Sequence, residues 1–233
     1  MTMKKITLLL LIISPWCNAQ NFENVTINYK VSQKERDFKD LKEKAKTSAS
    51  AQQLLWYYED AIDVNATLRI CNKESIYDVE ESLDNDANKK LNLTYFQAGG
   101  KKQYYSDTEE LFTSSDVTGE YLRVTQEKKE WELLKDTKKI GIYSCFKAIN
   151  INSTSKIKPI AWYTLELPLS YGPREFNGLP GVILELELKN YIFKSTTISI
   201  NSSSFEPIEK PTKGKKITYA EWRERAKGFF ENE

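Results

Sequence analysis

Phe176-Asn177-Gly178-Leu179-Pro180-Gly181-Val182-Ile183-Leu184-Glu185-Leu186 is the stretch that decides the fold. Two glycines bracket a Leu-Pro pair, and an apolar run follows at once. Glycine adopts backbone conformations closed to other residues, and proline fixes φ at about −65° and donates no hydrogen bond. Gly178 to Gly181 therefore reads as a rigid turn feeding a strand. Beyond it Val182, Leu184, Leu186 and Leu188 share one face at period two, with Ile183, Glu185 and Glu187 on the other. The expectation is a half-buried strand with Glu185 and Glu187 in water.

The same alternation recurs on both sides. Val25, Ile27, Tyr29 and Val31 mark a first strand. Val64, Ala66, Leu68 and Ile70 mark another, with Ser75 to Glu80 as its hairpin partner across Asn72-Lys73-Glu74. Leu93 to Phe96 and Gln103 to Tyr105 read as strands flanking Gly99-Gly100. Tyr121 to Thr125 and Trp131 to Leu134 read as a hairpin across the charged tip Glu127 to Glu130. Ile140 to Ile151 reads as one long strand carrying Cys145, followed by Lys156 to Leu167 and finally by Ile192 to Ile200. Short strands separated by turn residues predict an antiparallel meander.

Helical spacing is confined to two regions. Phe38, Leu41 and Ala45 begin a charged helix that runs to Leu54-Leu55-Trp56-Tyr57-Tyr58, whole or broken near Ser48 to Ser50, with its aromatic end as a lid on the sheet. Thr218-Tyr219-Ala220-Glu221 is a capping box opening a last helix. The fold class expected is mainly β (α+β): a meander curled into an open or partial barrel, with a helical insertion at about 34–61 and a C-terminal helix at about 218–231. The chain has 233 residues, and residues 20–233 read as one domain.

Composition excludes several chemistries. The 34 basic and 33 acidic residues give a net charge of +1, which argues against a polyanion surface and hence against nucleic acid. There is no histidine. Ser-His and Cys-His nucleophiles, His-ligated zinc and the usual near-neutral proton shuttle are therefore excluded. No cofactor or metal is expected. Asp84, Asp86 and Asn88 match the first ligand spacings of a calcium loop, but Lys89 stands where glycine is needed and Tyr95 where the bidentate Glu belongs.

Lys4 and Lys5 precede the apolar run Ile6 to Ile13, and Ser14-Pro15-Trp16-Cys17-Asn18-Ala19 follows. This is the pattern of a bacterial signal peptide over residues 1–19, with cleavage after Ala19. Ser14 and Trp16 do not suit lipidation of Cys17. Loss of Lys4 and Lys5 from 34 bases leaves 32 against 33 acids. No other apolar run approaches the roughly 20 residues of a transmembrane span. Cys71 and Cys145 remain, and in an exported chain such a pair reads as a disulfide, with two buried free thiols as the alternative. The disulfide would close a loop of about 75 residues and contribute on the order of 4 kcal/mol.

Three constellations are candidates for function. Trp162, Tyr163, Tyr171 and Phe176 beside Gly172-Pro173 form a candidate floor for an apolar or sugar-like ligand, or a lock of the loop onto the sheet. Glu166, Glu175, Glu185 and Glu187 offer carboxylate pairs for acid–base work, or a solvated face. The concave side of a curled sheet offers room for a lipid-like ligand, or a filled core.

Tyr143-Ser144-Cys145-Phe146-Lys147-Ala148, Ala161-Trp162-Tyr163-Thr164, Tyr171-Gly172-Pro173 and Phe176-Asn177-Gly178-Leu179-Pro180-Gly181-Val182-Ile183 occur in that order. Together they resemble the GLPGLI family, also called the Porph_ging domain, of exported Bacteroidota proteins. Val182 replaces a leucine of the family name. The likeness is sharp over about residues 119–190 and loose before them. It marks Gly172, Pro173, Phe176, Gly178, Leu179, Pro180 and Gly181 as the family turn. It implies export and a β-rich fold, and supplies no catalytic residues. The expectation is an exported, non-catalytic protein of the periplasm, outer-membrane periphery or extracellular space that binds an envelope ligand or protein partner. A carboxylate-dependent hydrolase and a structural envelope component are the alternatives.

Overall fold

The computed structural model describes residues 22–35, 38–81, 92–117 and 120–230. The segment expected to be cleaved, 1–19, and the acidic loop at 84–88 lie outside the described residues. The strands are β1 (Asn24–Gln33), β2 (Val64–Cys71), β3 (Glu74–Val79), β4 (Gln103–Ser106), β5 (Leu111–Val117), β6 (Glu120–Thr125), β7 (Trp131–Ile140), β8 (Tyr143–Asn150), β9 (Ile160–Thr164), β10 (Val182–Glu187), β11 (Tyr191–Ile200) and β12 (Lys215–Thr218). The helices are α1 (Lys39–Ala45), α2 (Ala49–Glu59), α3 (Leu93–Ala98) and α4 (Tyr219–Phe230).

All twelve strands join one sheet, ordered β12-β6-β5-β4-β3-β2-β1-β11-β10-β9-β8-β7. Two antiparallel meanders, β1 to β6 and β7 to β11, meet where β1 pairs with β11. The edges β7 and β12 do not pair with each other, so the sheet is open and mainly β, as expected. One strand departs from the antiparallel pattern: β12 runs parallel to β6, Lys215 opposite Leu122 and Thr218 opposite Thr125. Its four residues have only Ile217 as an apolar signal, too little for alternation to mark a strand.

Alternation correctly marks the centre of the sheet. Val25, Ile27, Tyr29 and Val31 are buried, as are Val64, Ala66, Leu68 and Ile70 across the β1–β2 ladder. Asn72 and Lys73, with φ of +50° and +65°, close the β2–β3 hairpin. Two consecutive left-handed residues suit the right-handed twist of the strands they join. On the buried face, α3 packs against β1, β2 and β11. The loop 165–181 adds Leu167, Phe176 and Leu179 to the same core. These groups and α3 fill the face of the sheet on which the core lies.

Several local expectations are corrected. Leu93–Ala98 is a helix, not a strand. Asn92 accepts a hydrogen bond from Thr94 N at 3.1 Å, and Gly99 and Gly100 take positive φ at the other end. Both caps favour a helix and outweigh the β-preference of Thr94, Tyr95 and Phe96. The expected hairpin of 121–125 with 131–134 does not form: β6 lies between β5 and β12, while β7 pairs with β8. Nor is 140–151 one strand, because a turn at Gly141 (φ +57°) separates β7 from β8.

The helical insertion is α1 and α2, broken at Ser48, whose hydroxyl caps Ala51 N. It is not a lid. The two helices pack mainly on each other, helped by Lys42–Glu59 at 3.1 Å, and Trp56 is 45% exposed. The Cys71–Cys145 disulfide is also corrected, since both cysteines are free thiols. Cys71 ends β2 and Cys145 lies in β8, with β1, β11, β10 and β9 between them. Strands stand about 4.8 Å apart, whereas a disulfide needs Cα atoms within about 7 Å. Burial pushes the Cys145 thiol up to about 11.

Candidate ligand-binding cleft

The family turn is built from two glycines with different tasks. Gly178 has φ +91°, and a Cβ there would meet nothing nearer than 3.8 Å. It is needed for its backbone angle. Gly181 lacks a positive φ, but a Cβ on it would lie 1.8 Å from the Thr164 carbonyl oxygen. It is needed because β9 passes against it. Ser170 Oγ donates to Leu179 O at 2.6 Å and Val182 N to Leu167 O at 3.0 Å, closing the loop on itself.

The loop is tied outward as well. Trp131 Nε1 donates to Asn177 O at 2.8 Å, and Tyr171 Oη to Lys73 O at 2.5 Å. Arg174 donates to Gln97 O at 2.9 Å, so the loop reaches the end of α3. Such bonds contribute about 1 kcal/mol each.

Arg174 is the unusual member. It has φ +57° without being glycine, a conformation that L residues adopt at a cost of about 1–2 kcal/mol. That backbone places its guanidinium on both oxygens of Glu175, at 3.1 and 3.2 Å, and 5.8 Å from the Tyr104 ring centroid. Burial opposes the charge on each group. Glu175 nevertheless holds Arg174 above its ordinary range, and Arg174 with Lys129 holds Glu175 below the usual carboxylate range. Tyr104 lies edge-on to Tyr77, and Tyr77 to Tyr29, carrying the contact from the loop into the core.

This pair sits at one side of a cleft of about 500 Å³. β4, β5 and β6 supply Tyr104, Thr113, Ser115 and Val124; the β8–β9 turn supplies Asn152 and Thr154; α4 supplies Trp222 and Arg223. Lys102 and Lys129 also line it. Loss of water around the Lys102 ammonium, then repulsion from Arg174, lowers its pKa. The capping box fixes α4: Thr218 N donates to Glu221 at 2.7 Å and Glu221 N to Thr218 Oγ1 at 3.2 Å. Tyr219 and Trp222 then pack on Leu122, Val124 and Ile217.

Of the aromatic candidates, only Phe176 lines this cleft. Tyr171 pins the β2–β3 turn, and Tyr163 is buried beside Phe146. Trp162 lies on the other side of β9, under Lys138 at 4.2 Å and within 3.3 Å of Glu187. The expectation of a solvated glutamate face is corrected. Leu184 is an extra residue in the β9–β10 ladder, so Ile183, Leu184 and Leu186 are all buried and Glu185 is only 8% exposed. Glu185 pairs with Lys138 at 2.6 Å, Glu187 with Lys34 at 2.7 Å, and Glu166 accepts Ser144 N at 2.7 Å. The sequence reading missed Lys102, Tyr104, Lys129, Arg174, Trp222 and Arg223. One usable signal was a charged pair, Arg174-Glu175, inside an otherwise turn-forming segment.

Residues 150–185 match the model of Porph_ging, a protein family of unknown function. The Porph_ging segment runs from the end of β8 through β9 and the loop to β10, and so carries Asn150, Asn152, Arg174, Glu175 and Phe176 of the cleft. No curated protein matches the chain. Among solved structures the chain is similar to PNGF-II in two crystal forms, with TM-scores of 0.54 and 0.53 at 12% identity over 86% and 87% of this chain. That likeness shows the fold alone, and the chain spans 32% of the length of PNGF-II. An uncharacterized conserved protein from Thermus thermophilus overlays with a TM-score of 0.38 at 6% identity, over 84% of this chain and 90% of that one.

Proposed function

We propose that this protein is an exported, non-catalytic binding protein of the cell envelope whose ligand sits in the cleft beside the Porph_ging turn. The observation that carries the reading is Arg174: a non-glycine residue held in a left-handed conformation so that a half-buried ion pair faces a cleft of about 500 Å³. Strain of this kind persists where the surroundings impose it, commonly at ligand sites. The cleft volume falls in the range of small-molecule sites. The glutamates that would serve a hydrolase each hold a cation or a backbone N–H instead. Export rests on the sequence pattern of residues 1–19.

Native mass spectrometry of the protein purified from its own envelope tests the binding reading. A retained small molecule that is lost in Thr154→Trp, at unchanged melting temperature, supports it. A molecule retained equally by the variant, or none in either, overturns it. The amino terminus of the same sample reports on export: Gln20 is expected, and an intact Met1 refutes processing.

A further inference from the structure

The cleft has an imbalance of charge. Lys102, Lys129 and Arg174 gather around Glu175, whose two oxygens are both bonded by Arg174 and which is close enough to act on both lysines. Among the described residues, neither Lys102 nor Lys129 makes an ion pair. Lys129 stands 5.3 Å from the Phe176 ring centroid, and Lys102 is pressed by Arg174. Counting Arg223 and the second lining carboxylate, Glu127, four cations face two carboxylates around the cleft, and a ligand carboxylate entering there would offset part of that excess. In a site partly withdrawn from water such pairing is stronger than at an open surface.

Beside these cations the lining carries hydroxyls. Thr113 and Ser115, two apart on β5, share one face of the sheet and line the cleft. Both residues are largely buried, yet their hydroxyl oxygens are not among the buried polar atoms that lack a partner, so they open onto the cleft they line. Ser153 and Thr154 add hydroxyls from the β8–β9 turn. Hydroxyls that face a cleft can both donate and accept, so these positions suit a ligand that carries several hydroxyls of its own. Trp222 completes the site. It stacks on Tyr219 at 5.7 Å and 21° and is fixed by the apolar contacts behind it, presenting an aromatic surface on which the apolar face of a ring can lie.

We propose that the cleft binds an acidic sugar, a hydroxylated ring bearing a carboxylate, with the carboxylate against Lys102, Lys129 and Arg174 and the ring on Trp222. This rests on the ligand-binding reading of the same cleft. A neutral sugar would leave that excess of cations in place, and a bare inorganic anion would leave the hydroxyls and the indole unused.

The test is titration of the purified protein by calorimetry with methyl glucuronide, methyl glucoside, benzoate and inorganic phosphate. The expected result is saturable binding of the glucuronide, at least tenfold tighter than the glucoside, benzoate or phosphate. It should weaken at least tenfold in Lys102→Met/Lys129→Met and in Trp222→Ala, with unchanged melting curves for the lysine variant. Glucoside binding as tightly as glucuronide overturns the charged part of the proposal. Benzoate or phosphate binding as tightly overturns the sugar part. Failure of the glucuronide to bind, while a small molecule is retained from the envelope and lost in Thr154→Trp, overturns the acidic-sugar assignment and leaves the binding reading standing. Failure of both measurements overturns both.

Discussion

Replacement of Gly181 by alanine separates space from backbone angle as the reason for the family turn. The added Cβ would lie 1.8 Å from Thr164 O and 2.6 Å from Thr164 C, far inside van der Waals contact. Thr164 cannot yield freely, since it is fully buried and paired with both Val182 and Cys145. Overpacking of this kind costs about 1–3 kcal/mol. Displacing the chain also loosens the Val182 N to Leu167 O bond, at about 1 kcal/mol. The sum is about 2–4 kcal/mol, or a fall in Tm on the order of 10 °C for a chain of this size. Gly178→Ala meets open space but must hold φ at +91°, which costs about 1–2 kcal/mol. Urea unfolding followed by tryptophan fluorescence should therefore rank Gly181→Ala below Gly178→Ala in stability. If Gly181→Ala stays within about 0.5 kcal/mol of the parent, or if the order is reversed, close approach is not what the second glycine provides.

Three further outcomes follow from the packing. Removing one member of the half-buried pair, as in Arg174→Met, should destabilise the protein by about 1–3 kcal/mol in urea unfolding. The double change Arg174→Met/Glu175→Leu should recover part of that loss; a double variant no better than the single one argues that Glu175 does not depend on Arg174. Protein isolated without reductant and unfolded in excess alkylating agent should carry the label at both Cys71 and Cys145, and a peptide map joining them would refute the strand separation. Acid should release the segment 201–214. Burial works against the charge of Asp107, but Lys210 and the backbone N–H groups of Glu110 and Glu109 lower its pKa to about 2. With the folded value below the unfolded one of about 4, this clasp stabilises fully above about pH 4 and is lost as pH falls toward 2. Pepsin should begin to cut 201–214 within that window, and already at about pH 4 in Asp107→Asn; the same onset in both would remove Asp107 from the account.

Much of the sheet was legible because period-two burial is a local property. β1, β2 and the β2–β3 hairpin declare themselves in consecutive residues. β10 does not, because the partner that lets Glu185 be buried is Lys138, 47 residues earlier. The β6–β7 hairpin was misread because proximity in sequence favoured it, whereas β6 instead takes β12, about 90 residues later, as its second neighbour. The cysteine pair failed for a related reason: a count of thiols says nothing about which strands are adjacent. The cleft was hardest to see. Its residues come from positions 102–129, 150–154, 174–176 and 219–223, and no stretch holds enough of them to show a pattern. What the turn did reveal was a segment under unusual constraint.

The seam between β1 and β11 has a consequence for how any occupant would be felt. Lys102, Tyr104, Thr113 and Ser115 belong to the first half of the sheet, while Asn152, Arg174 and Glu175 belong to the second. A molecule lodged there would rivet the halves together. Its affinity would register as resistance to being pulled apart, by about 2.7 kcal/mol at a hundredfold excess over Kd. Nicking the chain between β6 and β7 would leave the fragments held by the β1–β11 and β6–β12 ladders, and a filled cleft would raise the denaturant needed to part them.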